Sequence, residues 1–291
     1  MLKYLSIGEN IMVKVIGLGD NVVDKYEHIR TMYPGGNALN FAAYAKNLGA
    51  SSAFLGAFGS DAEAEHVQNT IRELDLDISK CRNFDGENGC ARVTLEGGDR
   101  VFLGSNEGGV LRENGLNLTQ DDLDYIKTFD LLHAGLYGYT EPELDKIREL
   151  NIPISFDFSD DFTMEEVERI APKVDFSFFS CSHLKTDQML NLIMRAHELG
   201  SKIVVVTMGE KGALLYDGIK FYAQEPELVE AVDTMGAGDS FLTAFLVNYI
   251  SKVKENKLDK ETIIKESLNE GAIFSARTCL IEGSFGYGKN Y

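Results

Sequence analysis

A short glycine-containing stretch near the carboxyl end carries the strongest chemical signal in the sequence. In residues 231–246 (AVDTMGAGDSFLTAFL), Gly236 and Gly238 flank Ala237 just before a run with a helical period. Small residues let the backbone approach an anion closely, and the first N–H groups of a helix point at that anion. Asp239 follows in the first turn, where the helix dipole favours a carboxylate and where an acid can take a proton from an attacking hydroxyl. An isolated Gly-x-Gly-Asp is more often a capped helix start, but the full DTMGAGD string argues against chance. We therefore predict an anion hole built from the amides of Gly236, Ala237 and Gly238, with Asp239 as general base.

A second polar pattern opens the first predicted helix. In residues 33–50 (YPGGNALNFAAYAKNLGA), Gly36 precedes Asn37 and Asn40, which are three positions apart and share one helix stripe. Asparagine both donates hydrogen bonds to hydroxyl groups and accepts them. A solvated face of an amphipathic helix is the commoner explanation, but Asp24, a short way past the first predicted strand, adds another polar side chain. We therefore predict that Asp24, Gly36, Asn37 and Asn40 bind a ligand rich in hydroxyl groups.

A third, weaker signal is a glycine-containing turn. In residues 204–218 (VVVTMGEKGALLYDG), a strand ends at Thr207, turns through Gly209 and Gly212, and re-enters a strand. Such a turn admits a nucleotide, but it also serves as an ordinary connection between strands. The sequence has no GxxxxGK[ST] motif, and GLGDNV lacks the third glycine of a dinucleotide fingerprint. Neither a P-loop enzyme nor a nicotinamide enzyme is supported.

Strands and helices alternate along most of the chain, and they must position these residues. This alternation predicts an α/β fold with a mostly parallel sheet covered by helices on both faces. Capping boxes are expected at Thr119 with Asp122 and, as the better match, at Thr140 with Glu143. The predicted strands are 13–19, 51–59, 129–135, 152–158, 174–180 and 202–209. The predicted helices are 37–48, 61–74, 119–128, 141–150, 163–171, 183–199, 237–255 and 259–279.

Two regions do not follow the alternation. Residues 22–33 and 88–105 read as strands of a small separate β-structure, with a hairpin turn at Gly97, Gly98 and Asp99. We interpret this structure as a lid at the carboxyl edge of the main sheet, where open α/β folds bind ligands; a plain surface hairpin is the alternative. We also expect residues 1–11 to be an N-terminal extension and residues 12–291 to form the functional domain.

Composition limits the class of protein. The 291 residues include 28 Lys and Arg against 46 Asp and Glu, which gives a formal net charge of −18. This acidity argues against binding to nucleic acid and against docking on a membrane, since both favour clustered Lys and Arg. No stretch approaches the roughly 20 apolar residues that span a bilayer. Four scattered cysteines without a CxxC spacing are typical of reduced thiols, so we expect a cytoplasmic location.

YPGGNALN and DTMGAGD, in this order along the chain, resemble the two signatures of the ribokinase-like (PfkB) carbohydrate kinase family. The resemblance covers almost the whole chain from Met12. It implies a ribokinase-like three-layer α/β/α sandwich with a small β lid, and transfer of the ATP γ-phosphoryl group to a sugar hydroxyl. Asp239 matches the family's catalytic base, and the amides of residues 236–238 match its anion hole. The remaining matches are Asp24, Gly36, Asn37 and Asn40 to sugar-contacting positions, Thr207, Gly209 and Gly212 to the nucleotide loop, and Asp233 and Thr234 to positions near the phosphates and, in some members, a monovalent cation such as K⁺.

The resemblance also implies Mg²⁺ as cofactor, with one departure. Many family members carry an Asn-x-x-Glu motif that organises Mg²⁺ and the phosphates. Ser180 and His183 stand at those positions here, so the metal ligands are left unassigned. The family often pairs two subunits through the lid, so a homodimer is one expectation for this chain, and packing of the lid hairpin on its own active site is the alternative.

Within the family, several segments resemble a subgroup that phosphorylates the 6-hydroxyl of fructoselysine, a glycated amine. These segments are GDNVVDKY, GGNALN, DLLHAGLYG, SFDFSDDF and DTMGAGDSF. His133, Tyr137 and Asp157 lie near predicted strand ends and are candidates for the pocket lining or for structural roles. A kinase for a free sugar or a sugar acid, such as fructose or 2-keto-3-deoxygluconate, is the alternative, with Arg92 of the lid as the cation for the acid. A nucleoside kinase and a non-catalytic sugar- or nucleotide-binding regulator are the remaining possibilities.

Overall fold

A nine-stranded sheet lies at the centre of the fold in the computed structural model, which describes residues 12–96 and 99–291. The strands in chain order are β1 (Lys14–Gly19), β2 (Val22–Tyr26), β3 (Thr31–Gly35), β4 (Ser51–Phe58), β5 (Arg82–Asn83), β6 (Gly89–Glu96), β7 (Asp99–Ser105), β8 (Leu131–Gly135), β9 (Ile154–Asp157), β10 (Phe176–Ser180), β11 (Ile203–Thr207), β12 (Ala213–Tyr216), β13 (Phe221–Gln224) and β14 (Lys289–Asn290). The order across the main sheet is β13-β12-β11-β10-β9-β8-β1-β4-β5. The seven strands β11, β10, β9, β8, β1, β4 and β5 are all parallel to their neighbours. At the other edge, β12 pairs antiparallel with β11, and β13 pairs antiparallel with β12.

Helices cover both faces of this sheet. They are α1 (Asn37–Asn47), α2 (Ala62–Glu73), α3 (Val110–Asn114), α4 (Gln120–Ile126), α5 (Leu144–Arg148), α6 (Met164–Ile170), α7 (Thr186–Leu199), α8 (Ala237–Glu255) and α9 (Lys260–Thr278), with 3₁₀ turns at Leu136–Gly138, Glu141–Glu143, Ala171–Lys173 and Gly209–Lys211. Strand residues alternate between two apolar cores. Val204 and Val206 of β11 pack into one core with α7, whereas Val205 packs into the other with α8 and α9. Because a parallel sheet must be buried on both faces, this alternation produces the predicted three layers.

The predicted lid is a second sheet with the strand order β14-β3-β2-β6-β7. Its strands β2, β3, β6 and β7 come from the two regions that do not follow the alternation. The sequence pattern did not indicate β14, which the end of the chain adds beside β3. Gly97 and Gly98 of the expected hairpin turn, and the expected extension at residues 1–11, lie outside the described residues.

One of the two expected capping boxes is wrong. Thr140 makes no side-chain cap, and a 3₁₀ turn begins where the helix was expected. The reason is local: Thr140 has φ −94° and ψ −6°, whereas a capping residue needs an extended backbone for its hydroxyl to reach the third amide. Thr119 forms the expected box with Asp122, and Thr163 forms another with Glu166, which the sequence prediction missed.

Candidate active site

The amino terminus of α8 forms one wall of the site. Gly236 precedes the helix in the left-handed conformation, with φ 72° and ψ 7°, which favours glycine. Asp239 lies in the first helical turn, as the sequence predicts. The amide of Ala237 donates to the carbonyl oxygen of Thr234 at 3.2 Å, so a bound anion would share this amide or displace the turn contact. The exposed Gly238 has open space beyond its Cα, which leaves room for a ligand at the helix end.

Two asparagine amides of α1 hold the carboxylate of Asp239. Asn37 Nδ2 donates to Oδ1 at 2.8 Å, and Asn40 Nδ2 donates to Oδ2 at 2.6 Å. The amino ends of α1 and α8 therefore meet at Asp239. The side-chain oxygen of Asn40, although buried, has no hydrogen-bond partner within the described residues. An unpaired buried acceptor is costly, so this oxygen suits a hydroxyl or N–H donor of a ligand.

Asp20 caps the amino end of α1. Gly36 at the helix start has no side chain to do so, and Asp20, after β1, accepts from the amide of Asn37 at 2.7 Å and from that of Ala38 at 3.2 Å. Burial raises the pKa of Asp20 to about 6, although these two amides partly offset the effect. The contact attaches the helix that carries both asparagines to the end of β1.

Asp157 completes a group of carboxylates around Asn37. It stands at the end of β9 and accepts from Asn37 Nδ2 at 2.9 Å, so this one amide group bridges Asp157 and Asp239. Burial, and after it the negative charge of Asp239, raises the pKa of Asp157 to about 7. His133 lies behind Asn37, fully buried rather than facing the cleft, with Nε2 3.0 Å from Asn37 Oδ1.

The raised pKa of Asp157 predicts a pH dependence of stability. Between about pH 4 and pH 7 the folded chain holds a proton here that the unfolded chain releases, so this group lowers stability as pH rises. Asp157→Asn removes the effect. One pKa unit corresponds to about 1.4 kcal/mol. We therefore expect the free energy of unfolding of the variant, minus that of the parent, to increase by at least about 1 kcal/mol from pH 5 to pH 8. Urea unfolding at both pH values measures the difference, and a constant difference would contradict the shifted pKa.

A cleft of about 280 Å³ lies on the other side of the α8 amino terminus. Its lining includes Thr207, Gly209, Gly212, Thr234, Ala237 and Gly238. The structure therefore brings the predicted nucleotide-loop residues together with the predicted anion hole. Gly212 has φ 84°, and a Cβ there would stand 2.0 Å from the carbonyl oxygen of Gln224, so the turn requires glycine. Ala272, Ser275 and Cys279 of the α9 side complete the wall, and no sequence signal indicated them.

Asp233 joins three parts of the fold beneath this cleft. Its buried carboxylate accepts from the Tyr26 hydroxyl of the lid at 2.5 Å, from the Gly283 amide at 2.9 Å and from the Met235 amide at 2.9 Å. Both of its oxygens are thus engaged. In this arrangement Asp233 anchors the lid to the loop before α8. A role of Asp233 and Thr234 beside a monovalent cation stays a prediction.

The lid turns one face toward the site and the other away from it. Residues paired in register on neighbouring strands share a face, and successive residues along one strand lie on opposite faces. Asp24 and Tyr26 share a face, which is directed toward α8 because Tyr26 contacts Asp233; the Asp24 carboxylate lies against Gly35. Arg92 pairs with Lys25 on the opposite face and is exposed. Arg92 thus lies on the lid face directed away from Asp233, and its contact with a sugar acid stays a prediction.

The protein ligands of the expected metal are left unassigned. No group of three His, Cys, Asp or Glu side chains that could hold a metal ion occurs in the described part of the chain, and His183 is exposed. Mg²⁺ usually keeps several water ligands and binds through substrate phosphates with one or two carboxylates. A metal bound in this way needs no cluster of three protein ligands, so Mg²⁺ stays an expectation of the family resemblance. No helix among residues 12–96 and 99–291 is both long and apolar enough to cross a bilayer.

The comparison with family models decides the identity. The model of the pfkB family carbohydrate kinases matches residues 1–265 of this chain. The chain belongs to this family. It is an ATP-dependent sugar kinase with the predicted ribokinase-like fold.

Relatives match this kinase along nearly its whole length. It is 40% identical over 280 residues to the fructosamine kinase FrlD of Bacillus subtilis (strain 168), which covers 96% of this chain and 95% of that protein. It is 30% identical over 269 residues to fructoselysine 6-kinase of Escherichia coli (strain K12), which covers 92% of this chain and 98% of that protein. The fold is similar to the structure of ribokinase from Giardia lamblia, with a TM-score of 0.83 and 17% sequence identity. The superposition covers 95% of this chain and 96% of the ribokinase chain.

Three residues of the kinase site had no assigned role in the sequence. Asp20 had the best available signal, because an acid directly after a strand can cap a nearby helix. Ser284 accepts from Asn40 through its hydroxyl at 3.2 Å and from Tyr44 through its carbonyl oxygen at 2.5 Å. Ser155 contacts His133 at 3.0 Å. Ser284 lies in a segment without a chemical motif. Ser155 opens the SFDFSDDF segment, which assigned it no role, so only packing shows that both serines belong to the site.

Proposed function

We propose that this kinase phosphorylates the 6-hydroxyl of fructoselysine or a related fructosamine. The observation that carries the proposal is the position of Asp239, at the junction of the α8 amino terminus, the cleft and the two asparagines of α1. A sugar hydroxyl placed against Asp239 faces a nucleotide phosphate placed at the helix end. Phosphoryl transfer depends mainly on such in-line positioning and on charge stabilisation.

Each part of the site then has a role in transfer. Asp239 takes the proton from the attacking hydroxyl, and the amides of Asn37 and Asn40 hold both of its oxygens in place. The α8 amino terminus stabilises the charge that develops on the transferred group. Bound Mg²⁺ supplies neutralisation of phosphate charge. The lid covers the sugar and excludes water.

The charge around the sugar site supports a substrate that carries an amine. Asp20 and Asp157 surround Asn37 together with Asp239. Neither Asp20 nor Asp157 has a Lys or Arg partner among the residues that the structure describes. A cationic amine complements such a site, whereas a sugar carboxylate would be repelled. The name of the 40% identical relative, a fructosamine kinase, points to the same substrate class.

A substrate panel tests the proposal. ATP turnover is measured with fructoselysine, fructose, 2-keto-3-deoxygluconate, ribose and adenosine, and the phosphorylated position is assigned by NMR. Fructose is the matched control, because it presents a 6-hydroxyl without the amine. We expect kcat/KM to be at least about tenfold higher for fructoselysine, a difference of about 1.4 kcal/mol in transition-state binding. A higher value for any of the other compounds, or phosphate on another oxygen, would overturn the substrate assignment.

The net charge of −18 provides a second comparison. An acidic surface attracts a cationic substrate, and salt screens this attraction. We expect KM for fructoselysine to rise between 0.02 M and 0.5 M NaCl while KM for fructose changes little. Equal salt dependence for both sugars would show that the charge does not assist substrate binding.

A further inference from the structure

A buried hydrogen-bond chain leads from the main sheet to the two carboxylates of the site. Ser155 Oγ lies 3.0 Å from His133 Nδ1, and His133 Nε2 lies 3.0 Å from Asn37 Oδ1. Asn37 Nδ2 then donates to Asp157 at 2.9 Å and to Asp239 at 2.8 Å. His133 and Ser155 are directly opposite each other on β8 and β9. This hydrogen-bond chain therefore starts on two neighbouring strands of the main sheet and ends at Asp239, the proposed base.

The donors along this chain have one consistent assignment. Both N–H groups of Asn37 are used by carboxylates, so its side-chain oxygen must accept from His133. Burial lowers the pKa of His133 to about 3, and the neutral ring therefore has one N–H and one acceptor nitrogen. Nε2 carries the hydrogen, and Nδ1 accepts from the Ser155 hydroxyl. Each member of the chain thus determines the orientation of the next.

The surroundings hold the ring and the amide in place. Phe41 packs on the ring of His133, with centroids 4.6 Å apart, and His133 is fully buried. Gly135 leaves space for Asn37, because a Cβ at this position would be 2.3 Å from Asn37 Oδ1. A flipped Asn37 amide would direct its oxygen at two carboxylate oxygens and its NH₂ at the N–H of His133. The observed orientation satisfies every member of the hydrogen-bond chain, whereas the flipped one loses both hydrogen bonds to the carboxylates.

We propose that His133 is a positioning residue for phosphoryl transfer: it fixes the orientation of the Asn37 amide, which in turn holds Asp239 and Asp157 for the reaction. His133 acts through Asn37 and does not touch the sugar. The inference rests on the proposed function, in which Asp239 is the base. Ser155 supports His133 by selecting the ring nitrogen that carries the hydrogen.

A double-mutant cycle tests this role. His133→Phe keeps an aromatic ring but removes the donor, whereas His133→Gln offers an amide N–H near the position of Nε2. Both are combined with Asn37→Ala, and kcat and KM are measured with the acceptor of highest turnover. We expect His133→Phe to lower kcat about tenfold, with KM for the sugar changed less than threefold, and His133→Gln to recover most of kcat. In the Asn37→Ala background, the exchange of His133 for Phe should change kcat less than twofold.

Three results would overturn the proposal. They are an unchanged kcat in His133→Phe, a loss in His133→Gln as large as in His133→Phe, and the same loss of kcat with and without the Asn37 side chain. If His133→Phe does not fold, Ser155→Ala replaces it, with an expected two- to threefold loss of kcat that disappears in Asn37→Ala. The choice of acceptor makes the cycle independent of the fructosamine assignment, and Asp239→Asn tests the base separately.

Discussion

Replacing Asp239 with asparagine is expected to lower kcat about a hundredfold or more while sugar binding stays largely intact. The amide has nearly the same shape as the carboxylate but cannot take the proton of the attacking hydroxyl. Asn37 and Asn40 both donate to Asp239, so one of these two hydrogen bonds is lost in the variant. The sugar pocket otherwise keeps its side chains.

Steady-state kinetics and titration calorimetry with the sugar separate the two effects. Asp259→Asn is the matched control, since Asp259 caps α9 away from the site and asparagine caps a helix equally well. The control should keep the activity and stability of the parent. A kcat within about threefold of the parent value in Asp239→Asn would contradict the role of Asp239 as base.

Replacing Gly236 with alanine is expected to impair both folding and turnover. The left-handed backbone costs an alanine about 1–2 kcal/mol. Its Cβ would also be 2.3 Å from the hydroxyl of Tyr44, which donates to the Ser284 carbonyl oxygen at 2.5 Å. We expect the free energy of unfolding to fall by at least about 2 kcal/mol. Because the first turn of α8 shifts with this contact, kcat should fall by about a hundredfold.

Gly238→Ala is the matched variant two residues later. A Cβ at this position meets no heavy atom within 4 Å, and alanine in a helix is favoured over glycine by about 0.5–1 kcal/mol. We expect unchanged or slightly higher stability, with a raised KM for ATP because Gly238 lines the cleft. Urea unfolding and ATP kinetics of both variants provide the measurement. Equal stability of the two variants would show that the conformation of Gly236 is not what the fold requires.

Local patterns were sufficient to predict much of the fold. Strand runs such as 202–209 are apolar on both faces, which is typical of buried parallel strands, and the structure places β11 at residues Ile203–Thr207. The lid was predicted because its two segments interrupt the alternation of strands and helices and the second contains a hairpin turn. The short β14 was not predicted, because it forms by pairing with β3, which is distant in the sequence. The 3₁₀ turn at Glu141–Glu143 was not predicted either, because the backbone of Thr140 does not adopt the conformation of a cap.

The sequence by itself determined the family, the order of the main strands and helices, and the residue types that could take part in chemistry. Motifs such as DTMGAGD are contiguous, and their backbone geometry follows from glycine and from the start of a helix. Only the tertiary structure decided which side chains these residues meet. Asp239 contacts Asn37, 202 positions earlier, and Asn37 contacts His133, 96 positions later. Such pairings arise from the packing of α1 and α8 against the same sheet. No local pattern records this packing, which places His133 behind the site. The pairing of β2 with β6 likewise decides which lid face carries Arg92.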